Sequence, residues 1–269
     1  MSLLPVLVFL VLALPAFGLV PARISFARPN RALVTPLCMA STYLGKDPVF
    51  VAGGSSGIGL RVVQLLSAMG TPVRVLVRRE DAMHDLNKMS GVTAFMGDAA
   101  DESAVQNAMA GCVAAVTTLG GKLDDGRLID YVGNSCVVEQ AGILGCERIV
   151  LVTSIGCGNT KEALAPATYK VLQETLEEKD KAERDLRMYT NLDWTILRPG
   201  GLTDDLPTGH AVVTEDVRAS GTITRADVAQ IVINVLASDT KATRKELSCV
   251  DPSLVPEDAE APVYEPYPL

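Results

Sequence analysis

Residues 49–66, VFVAGGSSGIGLRVVQLL, restrict the fold more than any other part of the chain. Val49, Phe50, Val51 and Ala52 make the unbroken apolar run that a parallel strand buried on both faces requires. A glycine-rich turn follows at once, and then Ile58, Leu60, Val62, Val63, Leu65 and Leu66 give a largely apolar helix ending near Gly70. The first N–H groups of such a helix have no partner within it, and the helix dipole favours negative charge beside them. Ser55, Ser56, Gly57 and Ile58 therefore present backbone donors at the end of the strand. Gly53 permits the turn, Gly57 lets the backbone approach a phosphate, and Gly59 lets the helix pack closely on the strand. The result is a cradle for the pyrophosphate of a dinucleotide.

Composition narrows the alternatives. The 269 residues suit one domain of ordinary size, and a hydrophobic share of 48% is enough for a substantial core. Aromatics make up only 4% and the net charge is −8, a poor match to a nucleic-acid partner, which would need a basic face and aromatic rings to stack on bases. Two histidines, His84 and His210, and six cysteines without a C-x-x-C pair give no metal spacing and no Ser–His–Asp group. No metal is expected. Redox pairing of Cys136, Cys146 or Cys157 is open in principle, but buried small hydrophobes are the better reading of these thiols.

Beyond the glycine turn, strand and helix signals alternate. Residues 72–77 (PVRVLV) read as a second strand closed by Arg78-Arg79. An acid there would select the free ribose 2′-hydroxyl of NAD, whereas an arginine suits the 2′-phosphate of NADP. Arg78 follows the strand directly and is assigned to NADP; a solvated surface pair with Arg79 is the other reading. Residues 92–96 form a third strand running into Gly97-Asp98. Asp98 serves either the adenine amino group or the turn itself. A helix over 101–110 and a short strand over 114–118 follow, then Leu119 and Gly120, where small residues let a cofactor lie close to backbone. A long helix over 129–145 precedes the clearest interior strand, 148–154, which delivers Ser154 to the edge that carries the glycine turn. Residues 155–170 read as a lid-like loop and 171–189 as a charged helix.

On that helix Leu172, Leu176, Lys179, Glu183 and Leu186 share one stripe. Two readings stay open: a Lys179–Glu183 surface pair, or Lys179 facing the cleft. Residues 194–198 are the next strand, broken by Pro199-Gly200-Gly201. A loop-like insert over 202–222 forms a substrate-side cap, a helix spans 224–237, and a last edge strand spans 246–250. The tail 251–269, with five acids, five prolines and no base, is expected to be mobile. Strand–helix alternation predicts an α/β fold, a doubly wound parallel sheet in a single domain over 47–250 with small substrate-side inserts.

Together with Gly53, Gly57 and Gly59, the segments Val77-Arg78, Gly97-Asp98, Val152-Thr153-Ser154-Ile155-Gly156, Lys179-x-x-Ala182-Glu183 and Ile196-Leu197-Arg198-Pro199-Gly200-Gly201-Leu202-Thr203-Asp204 resemble the atypical branch of the short-chain dehydrogenase/reductase family. The likeness is to the NmrA-like and sugar-epimerase-like NAD(P)-binding proteins of plastids and cyanobacteria, and it covers about residues 48–250. It implies a Rossmann fold, a cofactor site that includes Pro199 and Gly200, and a Ser–Tyr–Lys catalytic group. Ser154 and Lys179 match two of those positions. The tyrosine belongs four residues before the lysine, where this chain has Thr175, whose hydroxyl is far too weak an acid to replace it. Tyr169 would reach the site only if the lid folded back.

The N-terminal 1–46 read as a two-part presequence. The apolar run over 3–20 holds no polar residue but contains Pro5 and Pro15, which suits a cleaved signal core better than a permanent membrane span. Behind it lies a stretch without acids that carries Arg23, Arg28, Arg31 and Lys46. That order resembles the presequences of algae whose plastids lie within the secretory system; a plain secretory or endoplasmic-reticulum signal is the alternative. Removing these four basic residues from the chain's 24 leaves 20 against 32 acids, a net charge of −12. The sequence thus predicts an NADPH-dependent plastid oxidoreductase acting on a small molecule, or else a non-catalytic NADPH-binding scaffold for a plastid protein partner.

Overall fold

The computed structural model describes residues 44–122, 126–238, 241–255 and 262–269. The expected presequence, apart from residues 44–46, and Cys38 lie outside them. The chain runs β1 (Val49–Ala52), α1 (Gly57–Ala68), β2 (Val73–Val77), α2 (Glu80–Leu86), β3 (Val92–Met96), α3 (Glu102–Met109), β4 (Ala114–Thr117) and α4 (Ile129–Ile143). It continues through β5 (Arg148–Val152), a 3-10 turn (Gly158–Ala163), α5 (Pro166–Met188), β6 (Asp193–Pro199), β7 (Gly201–Thr203), β8 (Val212–Thr214), β9 (Thr222–Thr224), α6 (Arg225–Ala237) and β10 (Lys245–Val250).

Eight strands form one sheet in the order β3-β2-β1-β4-β5-β6-β10-β8, parallel except for β8, which runs antiparallel to β10. This is a Rossmann-like α/β fold. β1 sits at the centre, with Val49 opposite Val73 on one side and Ala114 on the other. Its alternation divides the core between two faces: Val49 and Val51 pack toward α1 and α6, while Phe50 and Ala52 pack toward α3, α4 and α5. Fully burying a side chain such as Phe50 contributes on the order of 1.5–3 kcal/mol, and the side chains of β1 are all buried. The strand order reverses between β1 and β4, so a crevice opens outside their carboxyl ends.

Four features differ from the sequence reading. α2 is a short polar helix with only Leu86 buried, too weak in periodicity to announce itself. The expected lid over 155–170 is a 3-10 turn that runs into α5, which begins at Pro166 because proline suits the first helical position. Tyr169 therefore lies in the first turn of that helix, its ring under the Lys161 ammonium at 4.4 Å, and does not fold back to the cleft. β10 is not an edge strand, since β8 covers it. The described part of the tail is docked rather than loose: Tyr267 N–H donates to Val213 O at 2.7 Å, and Tyr267 and Leu269 pack on the core. Among the described residues no helix is long and apolar enough to cross a membrane.

Candidate functional site

A cleft of about 510 Å³ opens at the carboxyl ends of β1, β4 and β5, within the size range of small-molecule sites. Its floor is the glycine turn. Gly53 and Gly57 have φ of +79° and +54°, left-handed values that other residues adopt only with strain. A Cβ on Gly59 would lie 2.3 Å from the Gly53 carbonyl oxygen and 2.6 Å from Thr118 Oγ1, so only glycine permits this approach of α1 to β1. Ser56 occupies the N-cap position of α1 without a side-chain cap, and no acid stands in the helix's first turn. The orphan N–H groups thus face a cleft that Ser55, Ser56, Gly57 and Ile58 line. Uncapped donors, a close-packed turn and a roomy cleft fit a dinucleotide pyrophosphate.

The adenosine end lies beyond the tip of β2. Arg78 is exposed and lines the cleft. Arg79 is also exposed and lies 3.0 Å from Asp81, so of the two arginines Arg78 is the one that lines the cleft. Asp98 lines the cleft, and its Oδ1 accepts from Ala100 N–H at 2.9 Å, which is the turn role.

On the opposite wall Lys179 resolves its two readings in favour of the cleft. Its ammonium lies 2.7 Å from Asp130 Oδ1 and donates to the Leu119 carbonyl at 3.1 Å. Asp130 is fully buried and accepts from Gly121 N–H at 2.9 Å through its other oxygen. A Cβ on Gly120 would stand 3.1 Å from Asp130 Oδ1 and 3.3 Å from Lys179 Nζ, so the small residue predicted there makes room for this ion pair. Ser154 lines the cleft at the end of β5, with its hydroxyl donating to the Ile155 carbonyl at 2.9 Å.

Glu183 belongs to a different group. Its oxygens receive Arg198 Nε at 3.0 Å and Nη2 at 2.6 Å, Thr153 Oγ1 at 2.7 Å and Arg187 Nη2 at 2.9 Å. Arg198 also reaches Glu246 at 2.7 Å and Asn159 at 2.7 Å. Burial alone would pull the Arg198 pKa down, but the bonds and charge of Glu183 and Glu246 hold it above its ordinary value. This network fixes Thr153, the residue before Ser154, from behind.

Three predicted site residues lie elsewhere. Thr175 is half-buried on α5 and does not line the cleft. Pro199 and Gly200 stand behind it: the Pro199 carbonyl accepts from Ile155 N–H at 2.9 Å, and a Cβ on Gly200 would meet Gly221 O at 2.3 Å. Their backbone supports the Ser154 edge, and Leu202 is the member of that segment that reaches the cleft. Asp130 and Arg225 line or support the cleft and escaped the sequence reading. An acid in the first turn of a helix is ordinary dipole chemistry, so Asp130 carried no separate signal. The described cysteines are free and buried, and burial pushes the Cys146, Cys157 and Cys249 thiols up to about 12.

Fold and site define a dinucleotide-binding protein of the Rossmann class. A family model described as NAD(P)H-binding matches residues 53–239, and the chain belongs to that family. The sugar epimerase YhfK of Bacillus subtilis, itself uncharacterised, is 30% identical over 193 residues, covering 69% of this chain and 86% of that protein. An uncharacterised chloroplastic protein of Arabidopsis thaliana is 29% identical over 203 residues, covering 71% of this chain and 72% of its own length. Among solved structures, ChuY of Escherichia coli O157:H7, described as an anaerobillin reductase, is similar at 33% identity and a TM-score of 0.70, covering 78% of this chain and 99% of that one. The chain is thus a relative of reductase-like and epimerase-like NAD(P)-binding proteins.

Proposed function

We propose that this protein is an NADPH-dependent reductase of the plastid, acting on a small acceptor such as a quinone or flavin. The observation that carries the reading is a cleft without a tyrosine among the described residues that line it, where Ser154 and the buried Lys179–Asp130 pair stand at one end and Arg78 at the other. The bound dinucleotide supplies a hydride, and an acceptor that takes its proton from solvent needs little acid catalysis from the protein. Lys179 then orients and neutralises, and Ser154 offers a hydroxyl to a substrate oxygen. ChuY supports reduction as the reaction type, and the chloroplastic Arabidopsis relative supports the plastid.

Arg78 makes no ion pair among the described residues and is free to meet a 2′-phosphate. Arg78→Ala is expected to weaken NADPH binding about tenfold, a typical loss for one charge-assisted contact, while leaving NADH binding unchanged. A fluorescence titration with both nucleotides checks this, and equal affinities unaffected by the substitution would overturn the NADP assignment. With a quinone and carbonyl panel, Lys179→Ala is expected to slow NADPH oxidation by tenfold or more. Because that change strands a buried carboxylate, Asp130→Asn/Lys179→Ala should regain the lost stability without regaining turnover.

The same missing tyrosine favours a second reading, a non-catalytic NADPH-binding scaffold for a plastid complex. Recovery of a stoichiometric partner from plastid membranes, with an association that changes with NADPH, would support it. NADPH oxidation by the purified protein would oppose it.

A further inference from the structure

We propose that Arg225 is the cation that receives the dinucleotide pyrophosphate, and that Asp204 holds this arginine over the glycine turn as a stand-in for that anion. The proposal rests on the dinucleotide reading of the cleft and adds residues that the glycine motif does not contain.

The geometry begins at Gly57. A Cβ built there would meet nothing closer than Arg225 Cδ at 3.9 Å and Nε at 4.0 Å, so the arginine stem lies across the mouth of the turn. Arg225 lines the cleft. Its Nη1 donates to Asp204 Oδ2 at 2.9 Å, and the other oxygen of Asp204 faces Arg61 Nη2 at 3.3 Å. Arg61 in turn donates through Nη1 to the Gly57 carbonyl at 3.0 Å. One carboxylate therefore bridges two guanidinium groups directly above the phosphate cradle. A guanidinium fork matches phosphate oxygens two at a time, so the same pair suits the pyrophosphate better than a single carboxylate.

Stability does not account for Arg225. It is the first residue of α6, where the helix dipole opposes a cation. The cap of that helix is supplied by others: Thr224 Oγ1 accepts from Asp227 N–H at 3.0 Å and donates to Asp227 Oδ2 at 2.8 Å. Asp204 has 71% of its side chain exposed, and pairs at such positions contribute little. A weakly held, solvent-facing carboxylate is one that an arriving diphosphate can displace. The loop that bears Asp204 has a fixed far end, because Asp227 accepts from Thr208 N–H at 3.0 Å and Gly209 N–H at 3.2 Å. Release of Asp204 thus frees only the short stretch between β7 and that anchor.

The test is a binding titration of NADPH and NADH against wild type, Arg225→Ala, Arg225→Lys and Asp204→Asn, with melting curves to confirm the fold. Arg225→Ala should weaken both nucleotides by the same factor, about tenfold, because both carry the pyrophosphate; Arg225→Lys should fall between. Asp204→Asn should tighten both about threefold by removing the competing carboxylate. Unchanged affinities in Arg225→Ala, with its melting curve like that of wild type, would overturn the assignment of Arg225. Weaker binding in Asp204→Asn would overturn the stand-in role. Failure of wild type to bind either nucleotide would instead strike the dinucleotide reading itself, a result that the variants cannot mimic.

Discussion

Replacing Arg198 with methionine is expected to lower the unfolding free energy by about 3 kcal/mol, the cost of taking its main partner from a buried carboxylate that keeps only the Arg187 cation. Glu183 is fully buried and both of its oxygens are taken by the Arg198 fork, with Arg187 and Thr153 sharing them. Methionine fills comparable volume, so the loss measures the stranded carboxylate and not a cavity. For a domain of this size the melting temperature should drop by on the order of 10 °C. Denaturant and thermal melts check this, and a loss below about 1 kcal/mol would reduce the network to the level of surface pairs. The Arg198→Met/Glu183→Gln pair should recover part of the loss. Acid should act through the same cluster. Burial alone would raise the Glu246 pKa, but Arg187 and Arg198 hold it below its ordinary value. Its contribution is therefore complete above the usual glutamate range and is lost as pH falls through the lowered value. Arg198→Met should remove part of that acid dependence, the rest remaining with Arg187.

That network also shows what the sequence made legible and what it did not. The glycine turn was readable because its physics is local: a strand, a turn and a helix start within residues 49–66 fix their own geometry, with Gly53 turning the chain at a positive φ and Gly59 packing the helix closely on the strand as their spacing predicts. Arg78 was readable for the same reason, since it directly follows β2. Lys179 and Glu183 shared one helical stripe, but periodicity alone could not say that the first would find Asp130 on α4 and the second Arg198 on β6. Both partners are distant in sequence, and each looks ordinary in its own segment. Pro199 and Gly200 followed from family likeness and proved to support the cleft from behind, because β6 pairs on into β10 before the chain turns back. Arg225 was hidden by its position at a helix start, where attention goes to the cap.

Gly59→Ala separates packing from phosphate contact in the glycine turn. A new Cβ would lie 2.3 Å from the Gly53 carbonyl oxygen and 2.7 Å from the Gly53 carbonyl carbon, backbone atoms of the turn itself that cannot rotate aside. α1 must therefore retreat from β1, and overpacking of this kind costs about 1–3 kcal/mol. The retreat carries the orphan N–H groups of the first helical turn with it, so NADPH and NADH affinity should fall together by about a hundredfold, since each tenfold corresponds to about 1.4 kcal/mol. Gly57→Ala makes the contrast. Its Cβ would meet only the Arg225 side chain, at 3.9 Å, and its cost to the empty protein is the left-handed φ of +54°, about 1 kcal/mol. That Cβ points into the mouth of the cleft, so binding should suffer while the melting temperature falls by only about 2–4 °C. Titration beside thermal melts decides the matter: Gly59→Ala should lose both stability and affinity, and Gly57→Ala mainly affinity. A Gly59→Ala protein that melts and binds like wild type would refute the close approach on which the phosphate cradle depends.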